Sequence, residues 1–119
     1  MPRRFTPERL DHILQAIADI RTLTRGRTAA DYLADRFLRL AVERCLEIVS
    51  EASRFIPEAQ KAEHPTLPWR GIADFGNLLR HGYDSVDPRR VWAIVEHELA
   101  ALEAAVETMR RELRPPGEE

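Results

Sequence analysis

Residues 76–92, GNLLRHGYDSVDPRRVW, bring together side chains that could carry out acid–base chemistry. On a helix, Asn77 and His81 are four residues apart and share a face, while Gly76 and Arg80 share a neighbouring face. Helical side chains lean toward the N-terminus, so we expect Arg80 to reach over the space that Gly76 leaves open. His81 lies in the last turn, where the negative end of the helix dipole suits a cation. A histidine beside an arginine could bind a phosphodiester.

Each of these residues also has an ordinary structural interpretation. His81 could cap the last carbonyl groups of its helix. Arg80 could form a salt bridge with Asp84 or Asp87. Tyr83 could be a half-buried aromatic residue at a turn, with its hydroxyl bonded to the backbone. Residue types and spacing alone leave both interpretations open.

Other kinds of active site find little support in the sequence. His12, His64 and His97 have no spacing that completes a metal-binding set, so we assign no metal and no cofactor. The chain has no glycine-rich phosphate loop and no serine motif for acyl transfer. Cys45 lies in an apolar-periodic segment, where a thiol usually behaves as a small buried hydrophobe. Glu51 is an ordinary solvated carboxylate or, if it faces the His81 end, a group that orients the histidine. Of the kinds of catalysis considered, metal-free acid–base chemistry is the one that these residues leave open.

The composition is that of an ordinary globular protein. The chain has 119 residues, of which 44% are hydrophobic and 32% charged, so we expect one domain over residues 1–119. A net charge of −2 argues against a protein that wraps duplex nucleic acid by bulk electrostatics, although local contacts remain possible. No apolar run approaches the roughly 20 residues that span a bilayer, and the N-terminus lacks the apolar stretch of a secretion signal. We therefore expect a cytoplasmic protein without a membrane partner.

Apolar residues recur at three- and four-residue spacing along most of the chain, which predicts an all-α fold. A first helix begins after Thr6, with Pro7 at its first position, and ends near Gly26. A long second helix begins between residues 28 and 31 and is broken or bent at Pro57, with a short extra helix possible near residues 58–63. The residues that this long helix is expected to bury are Leu33, Phe37, Leu40, Ala41, Ile48, Val49 and Ala52.

A third main helix is expected from about Trp69 to His81, ended by Gly82 in the left-handed conformation. Asp87 and Pro88 begin a last helix, and the tail should fray from about residue 112. Its buried side should comprise Val91, Trp92, Ile94, Val95, Leu99, Leu102, Val106 and Met109. Long amphipathic helices joined by short turns predict an up-and-down four-helix bundle.

Residues 67–102, from LPWRG to ELAAL, resemble the C-terminal half of the HepT-like proteins of the HEPN superfamily. The segment EIVSEASRFIP in the long second helix also matches that family's pattern. The most specific part of the resemblance comprises, at the expected intervals, Trp69-Arg70, Asn77, His81, Tyr83, Val86-Asp87 and Val91-Trp92.

The resemblance implies a helical bundle that forms a homodimer, with the motif helices of two subunits lining a shared cleft. Members of the family are toxins of toxin–antitoxin pairs that cut RNA without a metal. A small nucleotidyltransferase is the antitoxin, and it neutralises the toxin by attaching AMP to a tyrosine that matches Tyr83. Related helical proteins serve instead as the substrate-binding half of a two-chain nucleotidyltransferase.

The sequence departs from the family's ribonuclease motif at one position. The motif arginine usually stands immediately before the asparagine, where this chain has Gly76. Arg80 is the nearest substitute, and Arg70 lies on roughly the same side two turns earlier. One interpretation is an active nuclease, with His81 as acid or base, Arg80 as phosphate clamp, Asn77 as orienting residue and Tyr83 as modification site. The alternatives are a catalytically silent module that binds a nucleotidyltransferase or a nucleotide, and a purely structural dimer.

Overall fold

The fold is all-α, as the sequence predicts. The structure is a computed structural model that describes residues 4–82 and 86–113, and within these ranges it contains seven helices and no strand. The helices are α1 (Pro7–Thr24), α2 (Ala29–Ala34), α3 (Arg36–Ser53), α4 (Glu58–Ala62), α5 (Trp69–His81), α6 (Pro88–His97) and α7 (Leu99–Glu112). None of them is long and apolar enough to cross a membrane.

The long helices pack as a bundle in which α3 lies between α1 and α5, and α1 also packs against α7. Arg54 near the end of α3 donates a hydrogen bond to the Ala73 carbonyl in α5 at 2.8 Å. Arg110 near the end of α7 pairs with Asp11 near the start of α1, also at 2.8 Å. These contacts place each pair of helices antiparallel, and α6 and α7 together form the fourth arm of the predicted bundle.

The core is lined by the inward stripes of the long helices. Its fully buried apolar residues include Leu10, Ile13, Ile17, Ile20, Val42, Val91 and Val106. The short helix α2 joins this core through Tyr32, whose ring lies 5.4 Å from the ring of Trp92 at an angle of 35°. Trp69 anchors the connector before α5, because its indole N–H donates to the carbonyls of Lys61 and His64 at 3.2 and 3.1 Å.

The prediction of one long second helix is wrong, because the helix is interrupted at Asp35. Asp35 has extended backbone angles, and its carboxylate accepts a hydrogen bond from the Leu38 amide at 3.0 Å. This bond makes Asp35 the N-cap of α3. Thr28 and Asp31 form a capping box at the start of α2. Two separate capped helices therefore replace the continuous one.

The break turns part of the predicted apolar stripe outward. Val49 and Ala52 are buried as expected, but Phe37 is 78% exposed and Leu40 is 46% exposed. Leu33, Ala41 and Ile48 are only partly buried. The inward positions of α3 are instead Leu38, Val42, Leu46 and Val49. The first half of α3 therefore presents an apolar surface to solvent in the isolated chain.

The structure confirms some of the predicted helix ends and contradicts others. Gly26 has a positive φ of 73°, as expected for a residue that ends a helix. Gly82 does not, because its φ is −135° and its amide continues the helical pattern by bonding to the Leu78 carbonyl. Asp87 caps α6 through the Arg89 amide, but the predicted last helix is interrupted at Glu98. The tail beyond residue 113 lies outside the described ranges.

The side of the bundle between α5 and the α6–α7 arm is open. These two arms make few direct contacts and leave between them a cleft of about 420 Å³. Its apolar lining includes Leu46, Val49, Ile72, Phe75, Ile94 and Leu102. Helix α5 is therefore held along its length mainly by α3.

Candidate active site at the end of α5

The two faces of α5 differ sharply in polarity. Gly76 and Leu79 are buried against the bundle. The outward face, which the amphipathic spacing predicts, carries the exposed residues Arg70, Asp74, Asn77, Leu78 and His81. The candidate residues of the motif therefore lie on a surface that is open to a ligand or to another subunit.

Gly76 lies at a close contact between α5 and α3. A β-carbon added at Gly76 would stand 2.6 Å from the β-carbon of Ser50, a distance that real side chains do not adopt. The expectation that Arg80 folds back into space left open by Gly76 is therefore wrong. Ser50 occupies that space, and Arg80 lies exposed at the surface.

Arg80 forms a polar link with the motif asparagine. Its Nη1 donates to Oδ1 of Asn77 at 3.4 Å, a long hydrogen bond between exposed side chains. Arg80 also borders a shallow depression over the outward face of α3, which we call the α3 trough. The polar and charged residues that line the trough are Arg9 and His12 of α1, Arg44, Glu47 and Glu51 of α3, and Arg80 of α5.

His81 is exposed and next to Arg80 in the chain, but the two side chains point in different directions. Successive helical residues are rotated by about 100°, so His81 faces outward while Arg80 leans toward the trough. Asn77 lies between these directions, one turn earlier. No hydrogen bond joins His81 to any residue in the described ranges, so the capping interpretation is not what the structure shows. A ligand lying across the end of α5 could contact all three side chains.

Two supporting candidates are placed away from His81. Arg70 is 96% exposed, and its Nε lies 4.0 Å from an Asp74 carboxylate oxygen. It precedes His81 by eleven residues, or about 16 Å along the helix axis, so the two do not meet on one phosphate within a subunit. Glu51 lines the α3 trough, and it pairs with Arg54 at 3.7 Å.

The remaining candidates concern modification and other chemistries. Tyr83, the expected AMP acceptor, and Asp84 lie outside the described ranges. Burial raises the pKa of the half-buried Cys45 thiol, which lowers the thiolate fraction and agrees with a packing role. Among residues 4–82 and 86–113, no three histidine, cysteine or acidic side chains are grouped in a way that could hold a metal ion.

Comparison with known proteins matches the sequence to one family. A family model described as "Ribonuclease HepT-like" matches residues 13–109. The chain belongs to the HepT-like family. It is 37% identical over 109 residues to "Probable ribonuclease HepT" of Thermococcus cleftensis, covering 92% of this chain and 99% of that protein. It is also 30% identical over 107 residues to a candidate RNase of Methanocaldococcus jannaschii, covering 90% and 98%. No solved structure was found to match it.

The contact at Gly76 gives a physical reason for the departure from the HepT-like motif. An arginine at position 76 would place its β-carbon against Ser50, so α3 and α5 could not approach as closely as they do. The exposed arginine at this end of α5 is instead Arg80, which is hydrogen-bonded to Asn77 and adjacent in the chain to His81.

Sequence reasoning missed two features of this HepT-like site. The first is Ser50, whose small side chain permits the close approach at Gly76. Small residues on two neighbouring helices are the available signal, but the pairing depends on how the helices are aligned. The second is the basic part of the α3 trough, where Arg9 and His12 are three residues apart on the polar side of α1. That spacing is visible in the sequence, but their position beside Arg80 is not.

Proposed function

We propose that this chain is the toxin of a HepT/MNT-type toxin–antitoxin pair and a metal-independent RNA endonuclease of the cytoplasm. The proposal treats residues 1–119 as one HepT-like domain. The observation that carries it is the exposed end of α5, where Arg80 is hydrogen-bonded to Asn77 and His81 is the next residue. Cutting RNA without a metal requires at least a cation that binds the phosphate oxygens and a group that transfers protons. The guanidinium of Arg80 and the imidazole of His81 are groups of these two kinds.

The proposed reaction uses the ribose next to the cut bond. The 2′-oxygen attacks phosphorus while its proton passes to a base, and the bond from phosphorus to the 5′-oxygen breaks as that oxygen takes up a proton. The products are a 2′,3′-cyclic phosphate and a 5′-hydroxyl end. Arg80 stabilises the negative charge that develops on the phosphate oxygens, and Asn77 holds the guanidinium in place. Removing such a group costs on the order of a hundredfold in rate.

A homodimer would complete the acid–base chemistry. One subunit offers one His81, whereas the reaction needs both a proton acceptor and a proton donor. Leu78 is 45% exposed and lies one turn before His81, so burying Leu78 between subunits brings both copies of His81 to the shared cleft. The exposed Phe37 and Leu40 on α3 supply further apolar area for this interface.

The proposed antitoxin is a small nucleotidyltransferase that modifies Tyr83. The phenolic oxygen attacks the α-phosphorus of ATP, pyrophosphate leaves, and the phenolic proton is released. The product carries AMP on a phosphodiester bond two residues after His81. The added charge and bulk would block RNA from the motif. Mass spectrometry of the protein expressed with the neighbouring gene should find one AMP on Tyr83 and none in Tyr83→Phe.

The decisive experiment measures RNA cleavage by the purified chain in excess chelator. We expect cleavage to survive, and kcat/KM to fall by about a hundredfold or more in His81→Ala and in Arg80→Ala. Arg25→Ala removes an exposed arginine at the far end of α1 and should leave kcat/KM unchanged. Equal activity of His81→Ala and the wild type would end the nuclease proposal.

A second candidate function is favoured by the contact between Gly76 and Ser50, because the motif arginine has no room at its usual place. In this case the chain is a catalytically silent HEPN-like module, either a partner or the substrate-binding subunit of a small nucleotidyltransferase. It would then co-purify with that enzyme, show no cleavage of RNA and cause no growth arrest when expressed alone. Growth of a host with and without the neighbouring gene separates the two functions.

A further inference from the structure

The α3 trough is a polar surface of which the proposed chemistry uses only Arg80. It lies over the outward face of α3 between α1 and α5, with a volume of about 170 Å³. Pockets that hold whole small molecules are larger, about 300–1,000 Å³. A depression of this size is too small for a complete nucleotide cofactor, but the side chains along it could contact successive phosphates of a strand that lies across it.

Arginines outnumber acidic residues around the trough. Three arginines line it, against two glutamates, and one histidine lies among them. Both glutamates already have cationic neighbours, since Arg44 pairs with Glu47 at 3.1 Å and Arg54 pairs with Glu51 at 3.7 Å. The trough therefore offers guanidinium groups to an anion without presenting a free acidic surface.

Arg9 is the cation best held for this purpose. Its guanidinium carbon lies 3.6 Å from the centre of the Phe55 ring, and its Nε donates to the Arg4 carbonyl at 3.0 Å. Within the described ranges no carboxylate pairs with it. An arginine packed on an aromatic face keeps its remaining N–H donors available for a phosphate. His12 follows one turn later on the same side of α1 and adds another donor.

We propose that the α3 trough binds the phosphodiester backbone of single-stranded RNA, with Arg9, His12 and Arg44 holding phosphates beside the one at Arg80. Arg80 borders both the trough and the motif surface, so a strand that crosses the end of α5 continues directly into the trough. A positive groove that follows the backbone is the usual means of holding a single strand without reading its sequence. The choice of RNA as ligand rests on the proposed function.

The binding test uses the full-length chain with His81→Ala, so that a fluorescent single-stranded RNA is bound but not cut. Fluorescence anisotropy is measured over a range of salt concentrations. In this background, Arg9→Gln and Arg44→Gln should each weaken binding about fivefold to tenfold and reduce the slope of log K against log salt by about 0.7. Glu47→Gln, which removes a negative charge from the trough, should strengthen binding.

The matched control is Arg25→Gln, the same change of charge about 24 Å along α1 from Arg9. It should bind RNA as the parent does, with the same salt slope. If Arg9→Gln and Arg44→Gln behave like this control, the trough does not bind RNA. If they instead change the sedimentation coefficient and leave RNA affinity unaltered, the trough is an interface between protein chains and the proposal is wrong.

Cleavage kinetics separate this proposal from the nuclease proposal. With His81 intact, the trough variants should raise KM and leave kcat unchanged, because they remove binding that is equal in ground and transition states. Binding through the trough without any cleavage would support the trough and contradict the nuclease. Cleavage with KM unaffected by the trough variants would support the nuclease and overturn the trough.

Discussion

Gly76 is the residue at which the chain departs from the family motif, and the neighbouring helix explains why it is a glycine. Its backbone approaches Ser50 so closely that any β-carbon would overlap the serine side chain. Gly71 provides a natural comparison in the same helix. A β-carbon there would meet only a Pro68 side-chain atom at 3.9 Å, an ordinary contact.

We predict that Gly76→Ala lowers the free energy of unfolding by about 1–3 kcal/mol, because α3 and α5 must move apart. Gly71→Ala should raise it by up to about 1 kcal/mol, since alanine favours the helix and meets no obstacle. Urea denaturation followed by circular dichroism measures both. A Gly76→Ala protein as stable as the wild type would show that the helix contact is looser than described.

A double substitution tests the contact itself. Ser50→Gly removes the obstructing β-carbon and should recover much of the stability lost in Gly76→Ala, whereas Ser50→Ala keeps that β-carbon and should not. If the two positions do not interact, the free-energy change of the double substitution will equal the sum of the two single changes.

The proximity of Arg80, Asn77 and His81 could be predicted from helix geometry. The Ser50 contact could not, because it depends on the relative position of two helices.

At the scale of elements, the break at Asp35 determines which residues of α3 face outward. We predict that Asp35→Ala lowers the free energy of unfolding by about 0.5–2 kcal/mol, because the Leu38 amide loses its capping carboxylate. Asp74→Ala is the control, since it removes an exposed aspartate within α5. Thermal unfolding measures both, and an equal small effect would contradict a capping role for Asp35.

The sequence supports the existence of each helix better than its ends. Helix α5 has the predicted bounds, because its apolar spacing extends from Trp69 to Leu79 and Gly82 follows its last residue, although Gly82 is not in the left-handed conformation.

The apolar residues Leu33, Phe37 and Leu40 continue at helical spacing across Asp35. Apolar periodicity alone therefore predicts one helix where there are two. The Asp35 carboxylate instead accepts a hydrogen bond from the Leu38 amide, which ends one helix and begins the next. This cap changes which residues of α3 face inward, and the apolar spacing does not reveal it.

At the scale of the whole molecule, large apolar residues are exposed on α5, at Leu78, and on the first half of α3, at Phe37 and Leu40, and a second subunit could cover them. We predict that Leu78→Glu and Phe37→Glu each weaken a homodimer by about tenfold to a hundredfold, since each removes roughly 1.5–3 kcal/mol of apolar burial and adds a charge. Sedimentation over a concentration series measures the dissociation constant. RNA cleavage should fall in parallel, because one subunit carries one His81.

Thr22→Glu is the control for the dimer prediction, since it adds the same charge to an exposed position of α1. It should leave the dissociation constant unchanged. A wild-type chain that sediments as a monomer while cleaving RNA would contradict the two-subunit cleft.

The four-helix bundle could be predicted from the sequence, but the open side between α5 and the α6–α7 arm could not. Amphipathic stripes show which residues face the core, but they do not specify how tightly the helices pack.

The close approach of α3 and α5 also constrains how the sequence can change over time. A glycine codon becomes an arginine codon by one base change, so a return to the usual motif arises readily in a population. In this bundle the returning arginine meets Ser50 and destabilises the fold unless position 50 has already become smaller. The arginine is therefore tolerated best in a chain whose position 50 has already become glycine, so the order of the two substitutions affects the stability of the intermediate.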